Sequence, residues 1–183
     1  MTAPIIQPIK ALFASVDARD WQQVRAVMDA HVLLDYSSMN GNPATNLTPG
    51  EITSAWEAFL PGFDRTQHEV SGFDIQPGDH LAMVHMRGEA QHWIGDDCWL
   101  VAGTYDITLC EVGDRWLIMS MKFNFESQGG DTSLPARAQE RMKKNLSGLS
   151  PSGTTGRHSY EHKKLYNNER ICFDFQKQHQ RRF

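Results

Sequence analysis

The feature that most constrains this chain is a change of hydrophobic period near Thr66. Upstream of it, apolar residues recur three and four positions apart; downstream they alternate. The first pattern lines one side of a helix, and the second lines one face of a strand. Three turn signals, Pro77-Gly78-Asp79, Gly95-Asp96-Asp97 and Gly113-Asp114, divide the alternating half into strands near 66–76, 80–94, 97–112 and 115–127. Long strands joined by so few residues must run antiparallel, as a meander. Helices come first and the sheet last, which predicts an α+β fold. A strongly curved antiparallel sheet wrapped over the N-terminal helices leaves a cavity between the layers, where small ligands bind.

The helical half carries its own punctuation. Pro8 suits a first helical turn, and Ile9, Leu12, Phe13 and Val16 follow at helical spacing. Asp20 is placed to cap a second helix, with Trp21, Val24 and Val27 or Met28 on one side. Val32 to Tyr36 reads as a short strand and Asn40-Gly41-Asn42-Pro43 as a loop. Thr48-Pro49-Gly50-Glu51 is a capping box with proline at the first helical position. Ile52, Ala55, Trp56 and Phe59 give that helix an apolar face, and Pro61-Gly62 ends it.

Charge narrows the function. Lys plus Arg number 18 against 22 Asp plus Glu, a formal −4, so the chain as a whole lacks a nucleic-acid footprint. No apolar run approaches the roughly 18 residues that span a bilayer. The opening Met-Thr-Ala-Pro lacks a secretory pattern, and Cys98, Cys110 and Cys172 form no disulfide framework. A cytoplasmic setting is expected. The charge is unevenly spread, with +4 on residues 147–183 and −8 on residues 1–146. The linker-like Ser147 to Gly156 opens the basic stretch, which reads as a disordered C-terminal tail behind a 1–146 pocket domain.

Strand alternation assigns faces. In 80–94, Ala82, Val84, Met86, Gly88, Ala90 and His92 share the apolar register, while His85 falls in the polar one. Leu117, Met119, Met121, Phe123 and Phe125 share a face of the last strand. In 97–112, Val101, Tyr105, Ile107 and Leu109 read as core; Thr104 and Asp106 lie opposite them, beside Leu100 and Ala102. Two half-apolar faces suggest a core on one side and a neighbouring subunit on the other, hence a homo-oligomer, dimer or trimer. Asp17 is anomalous, because it lies close to the buried stripe of the first helix, where a carboxylate needs donors. His68 and His92 are the candidates. Taken singly, each of the three residues reads as a satisfied core hydrogen bond. Together in one cavity they suggest acid–base chemistry, since imidazole titrates near neutrality.

Five stretches in order carry a resemblance: Ser15-Val16-Asp17-Ala18-Arg19-Asp20-Trp21, Leu33-Leu34-Asp35-Tyr36-Ser37-Ser38, Arg65-Thr66-Gln67-His68, Gln91-His92, and Gly103-Thr104-Tyr105-Asp106 leading to Gly113-Asp114-Arg115-Trp116. Residues 5 to about 130 thereby resemble scytalone dehydratase and its SnoaL-like relatives in the nuclear transport factor 2-like superfamily, with its cone-shaped α+β barrel. The resemblance implies that His68 and His92 flank the reacting centre, that Asp17 orients one of them, and that Tyr36 donates to a substrate carbonyl. It also places Thr104 and Asp106 on the substrate, with Trp56, Phe59, Met121, Phe123 and Phe125 as apolar walls. The implied reaction is proton abstraction beside a carbonyl of a small, mostly apolar oxygenated ring compound, with loss of water or a double-bond shift and no cofactor. Two departures favour the broader SnoaL-like group, which includes polyketide cyclases, over the dehydratase itself. Val16 stands where the dehydratase has a second tyrosine, and Asp106 stands where it has an amide.

Two other readings remain open on sequence. One is a non-catalytic ligand-binding or assembly module. The other is a metal site of His68, His92 and Asp17 or Asp106. There is no Gly-x-Ser-x-Gly elbow or phosphate-binding glycine loop, and Cys98 and Cys110 read as small buried residues.

Overall fold

A computed structural model describes residues 3–147, and the tail expected at 147–183 lies outside them apart from Ser147. Its elements are α1 (Ala3–Asp17), α2 (Trp21–Ala26), β1 (Met28–Asp35), α3 (Ser37–Asn40), β2 (Thr45–Leu47), α4 (Pro49–Glu57), a 3-10 turn (Leu60–Gly62), β3 (Arg65–Pro77), β4 (Leu81–Ile94), β5 (Asp97–Val112), β6 (Arg115–Gly130) and α5 (Leu134–Ser147). The class is α+β, as expected. Helix α1 begins five residues ahead of Pro8, which therefore lies inside it. Proline there forfeits one backbone hydrogen bond. Burial of Ile5, Pro8, Ile9 and Leu12 against the sheet offsets the loss. The capping box of α4 forms as the sequence predicts: the Glu51 N–H donates to Thr48 Oγ1 (3.3 Å), and the Thr48 N–H donates to Glu51 Oε2 (2.9 Å).

Six strands form one curved, unclosed sheet in the order β2-β1-β6-β5-β4-β3. The meander β3 to β6 is antiparallel throughout. Strand β1 joins it by pairing parallel to β6, which the short-turn argument does not reach. Two irregularities in the β5–β6 register, at Ala102/Gly103 and Thr108/Leu109, each leave one extra residue on β6, and such bulges bend a strand. The second, at Met119, also changes the parity of β6. Ile118 is fully buried in consequence, although the alternation put Leu117 and Met119 on that face. Strand β3 ends the sheet with no strand on its outer side among the described residues; its pairing with β4 breaks between Ser71 and Asp74, where Gly72 has φ +64°.

The core lies between the inner face of this sheet and helices α1, α2 and α4, around Ile9, Leu12, Ile52, Met86, Ile107 and Ile118. Helix α5, which no sequence pattern predicts, packs on the 3-10 turn. Leu134 and Ala138 are fully buried there, and Arg141 donates to the Gly62 carbonyl (3.0 Å) and to Asp64 (2.8 Å). This helix roofs one side of the cavity below.

Candidate active site

The curvature of the sheet leaves a mostly apolar cavity of about 190 Å³ between the layers. Its walls include Phe13 and Val16 of α1, Tyr36 just after β1, Trp56 of α4, Phe59 just before the 3-10 turn and Leu60 at its start. The sheet adds His68 from β3, His92 from β4, Trp99 and Tyr105 from β5, and Phe123 from β6. Helix α5 closes the rim with Pro135, Ala136 and Gln139.

Asp17 stands at the last position of α1, just behind this wall. One carboxylate oxygen receives His68 Nδ1 (2.7 Å) and the Thr66 hydroxyl (2.9 Å), and the other accepts the His68 backbone N–H (2.7 Å). Burial pushes the Asp17 carboxyl up, but the hydrogen bonds and charge of His68, helped by Thr66, outweigh it and hold the group below the usual carboxylate range. An ionised Asp17 accepts a hydrogen bond from Nδ1–H, which leaves Nε2 as the lone-pair nitrogen of a neutral His68. Nε2 has no hydrogen-bond partner among the described residues and is not sealed from solvent. That is the geometry of a base held ready at the wall of a cavity.

His92 behaves differently. It is buried, its ring lies 5.9 Å from that of His68 in an edge-on arrangement, and it packs on Phe63 and Trp99. Burial pushes its pKa down to about 3, with the charge of His68 adding to the effect. His92 therefore stays neutral at working pH, so the two imidazoles are not equivalent. Its Nδ1 is buried with no hydrogen-bond partner among the described residues, a costly state. The unfolded chain protonates this histidine below pH 6.5, whereas the folded one resists down to about pH 3, so stability falls as pH drops through that window. Asp17 adds to the loss only below its ordinary value of 3.8. His92→Leu is expected to flatten the decline between pH 6.5 and 4 in urea unfolding series, removing on the order of 3 kcal/mol of pH dependence.

Tyr36 and Tyr105 form a second polar point. Their phenols are hydrogen-bonded to each other, and burial, then the neighbouring Tyr36, raises the Tyr105 hydroxyl well above its usual value. Phe13 and Phe123 hold the Tyr105 ring at 5.2 and 4.8 Å. Gly88 lies under its edge; a Cβ there would come within 2.4 Å of the ring. Tyr105 reads in sequence as plain core, because alternation reports which face a side chain takes and not that its hydroxyl meets Tyr36.

Of the residues singled out in sequence, His68, His92, Tyr36, Trp56, Phe59 and Phe123 line the cavity, and Asp17 stands behind His68. Thr104 and Asp106 do not: they project from the opposite face of β5, as their register requires. Asp106 pairs there with His85 (2.7 Å) and Asn124 (2.7 Å), and both side chains of the His85–Asp106 pair are about half exposed (52% and 51%). Solvent screens that pair, in contrast to His68–Asp17, whose side chains are 13% and 22% exposed. Met121 is buried in the core away from the cavity, and Phe125 packs on the core edge. The resemblance had set these four against the ligand; two are turned away by strand parity and two lie beyond the cavity wall. Asp106 is likewise removed from the metal reading, and the described residues contain no cluster of three or more His, Cys, Asp or Glu able to hold a metal.

Sequence reasoning also missed Arg19. It follows α1 in the left-handed region (φ 58°), the position that helices usually end with glycine. The Arg19 N–H bonds to the Val16 carbonyl and the Asp20 N–H to the Ser15 carbonyl, closing the helix end. A residue other than glycine in this conformation costs on the order of 1 kcal/mol. Its guanidinium donates to Thr66 Oγ1 (3.0 Å), the Leu60 carbonyl (2.9 Å) and the Val16 carbonyl (3.3 Å).

A helix-covered curved sheet with a carboxylate–imidazole pair set in its apolar cavity defines a pocket protein of the nuclear transport factor 2-like class. The SnoaL-like domain model matches residues 2–122, and the chain belongs to that family. No curated protein matches it. Among solved structures it is similar to the Kfla4162 protein of Kribbella flavida, at 25% identity and a TM-score of 0.69 over 73% of this chain and 95% of that one. It shares the fold of a candidate scytalone dehydratase from Novosphingobium aromaticivorans (15% identity, TM-score 0.60, 70% and 85% covered). A type 2 hexachlorocyclohexane dehydrochlorinase, LinA, has it too (11%, 0.61, 70% and 86%). No helix among the described residues is long and apolar enough to cross a membrane.

Proposed function

We propose that this protein is a lyase or isomerase that works with its own side chains on a small, mostly apolar, oxygenated ring compound. The observation that carries this reading is the bond from His68 Nδ1 to Asp17, which leaves Nε2 basic at the cavity wall. His68 removes a proton from a carbon beside a carbonyl. The Tyr36–Tyr105 phenols and neutral His92 donate hydrogen bonds to the oxygen on which charge develops, a role that needs preorganised donors in a dry site. In a dehydration the C–H and C–O bonds break, a C=C bond forms, and the proton held on His68 leaves with the hydroxyl as water. In an isomerisation the proton returns to a different carbon.

The apolar walls favour an uncharged ring, and the names dehydratase and dehydrochlorinase of two structural neighbours accord with elimination. The second phenol that α1 lacks at Val16 is supplied from β5 by Tyr105, which weakens the case for a module that binds without turnover. The test is a panel of cyclic hydroxyketones incubated with the protein in D₂O and followed by proton NMR. Loss of water, or deuterium entering beside the carbonyl, is expected with the parent protein. Compounds that bind and come back unchanged and undeuterated would establish a binding module instead.

A further inference from the structure

The arrangement behind His68 has a direction. Arg19 is donor-only, so Thr66 Oγ1 accepts from it and must give its own single proton away. That proton goes to Asp17 Oδ1 (2.9 Å). Asp17, receiving from Thr66, from the His68 backbone and from His68 Nδ1, is acceptor-only. The chain Arg19→Thr66→Asp17←His68 therefore has one consistent proton arrangement, and it ends with the Nε2 lone pair at the cavity. We propose that Arg19 is a positioning residue which, through Thr66, fixes the Asp17 carboxylate and thereby the tautomer and orientation of His68.

This deepens the acid–base reading above and rests on it. The left-handed backbone at Arg19 supports it independently. Glycine would close α1 with less strain, yet the residue present sends a guanidinium to Thr66, fastened also to the Leu60 carbonyl. The other ionisable groups of the cluster are His92 from β4 and Tyr105 from β5, and neither bonds to Thr66 or Asp17 among the contacts described.

Arg19→Gly separates the two roles, because it suits the left-handed backbone and removes only the side chain. In ligand-free protein, nitrogen and proton NMR of His68 should show the Nδ1–H tautomer losing its dominance. Turnover should fall about tenfold with KM little changed, as expected of misorientation. Thr66→Val, which keeps shape and removes the hydroxyl, should give the same loss of tautomer dominance. Arg19→Lys and Thr66→Ser should restore much of the parent behaviour. An unchanged tautomer in both Arg19→Gly and Thr66→Val would overturn the proposal. Because the NMR readings need no substrate, that result is distinct from a failure to find turnover.

Discussion

His68→Asn is expected to lower turnover about 10²–10⁴-fold while leaving the protein folded. The asparagine amide can reach Asp17 much as Nδ1 does, so the carboxylate keeps a donor at the position now held at 2.7 Å. What is lost is Nε2, the basic atom at the cavity wall. Asp17→Asn should be comparably damaging for a different reason. Its amide cannot accept from all three groups that now donate to the carboxylate, so a neutral His68 loses its tautomeric preference. The measurement is kcat and KM on whichever ring compound the parent turns over, with thermal unfolding as a check on fold. Retained kcat in His68→Asn would remove His68 from the chemistry and leave neutral His92 and the phenols as a binding site only.

Gly62→Ala is expected to destabilise the protein by about 2–3 kcal/mol, against the usual direction for this change. Gly62 has no left-handed backbone, so on chain entropy alone alanine would add about 0.4–1 kcal/mol of stability. The contact decides otherwise. A Cβ at Gly62 would lie 2.3 Å from the Ala138 carbonyl oxygen and under 3 Å from two further backbone atoms of α5. Backbone cannot rotate away as a side chain can, so the whole helix must move outward. That strains the Arg141 bonds to Gly62 and Asp64 and shifts Pro135, Ala136 and Gln139 at the cavity rim. A fall in Tm of about 6–12 °C should accompany weakened ligand binding. An unchanged or higher Tm would mean that α5 yields at no cost and is not a fixed wall of the cavity.

The sheet was legible because its turns are explicit. Gly-Asp pairs bounded β4, β5 and β6 closely, and parity put His92 and Tyr105 inward and His85 outward, as found. Parity also put Thr104 and Asp106 outward. Only the family resemblance drew them into the pocket, and there the physical rule was the better guide. The bulge at Met119 escaped, because an inserted residue resets the alternation without altering composition. Helix α5 escaped as well: its docking depends on the absence of a side chain at Gly62, 76 positions before Ala138, and leaves no local pattern. Arg19 was hidden in the same way. Nothing in its neighbours says that Thr66, 47 residues on, will accept from it.

Because the sheet never closes, β3 is left at its border with no further strand beside it among the described residues, although the His68 N–H there is taken by Asp17. Such a border invites another chain to add itself, which is the first step toward a fibre. In β3 the invitation is withdrawn midway: the break between Ser71 and Asp74, turned by Gly72, interrupts the regular spacing that an incoming strand would have to match. Glu69 and Asp74 flank the break with charge, and Pro77 closes the far end without a donor. The irregularity that looks like a flaw in the pairing thus makes this edge a poor template for an added strand.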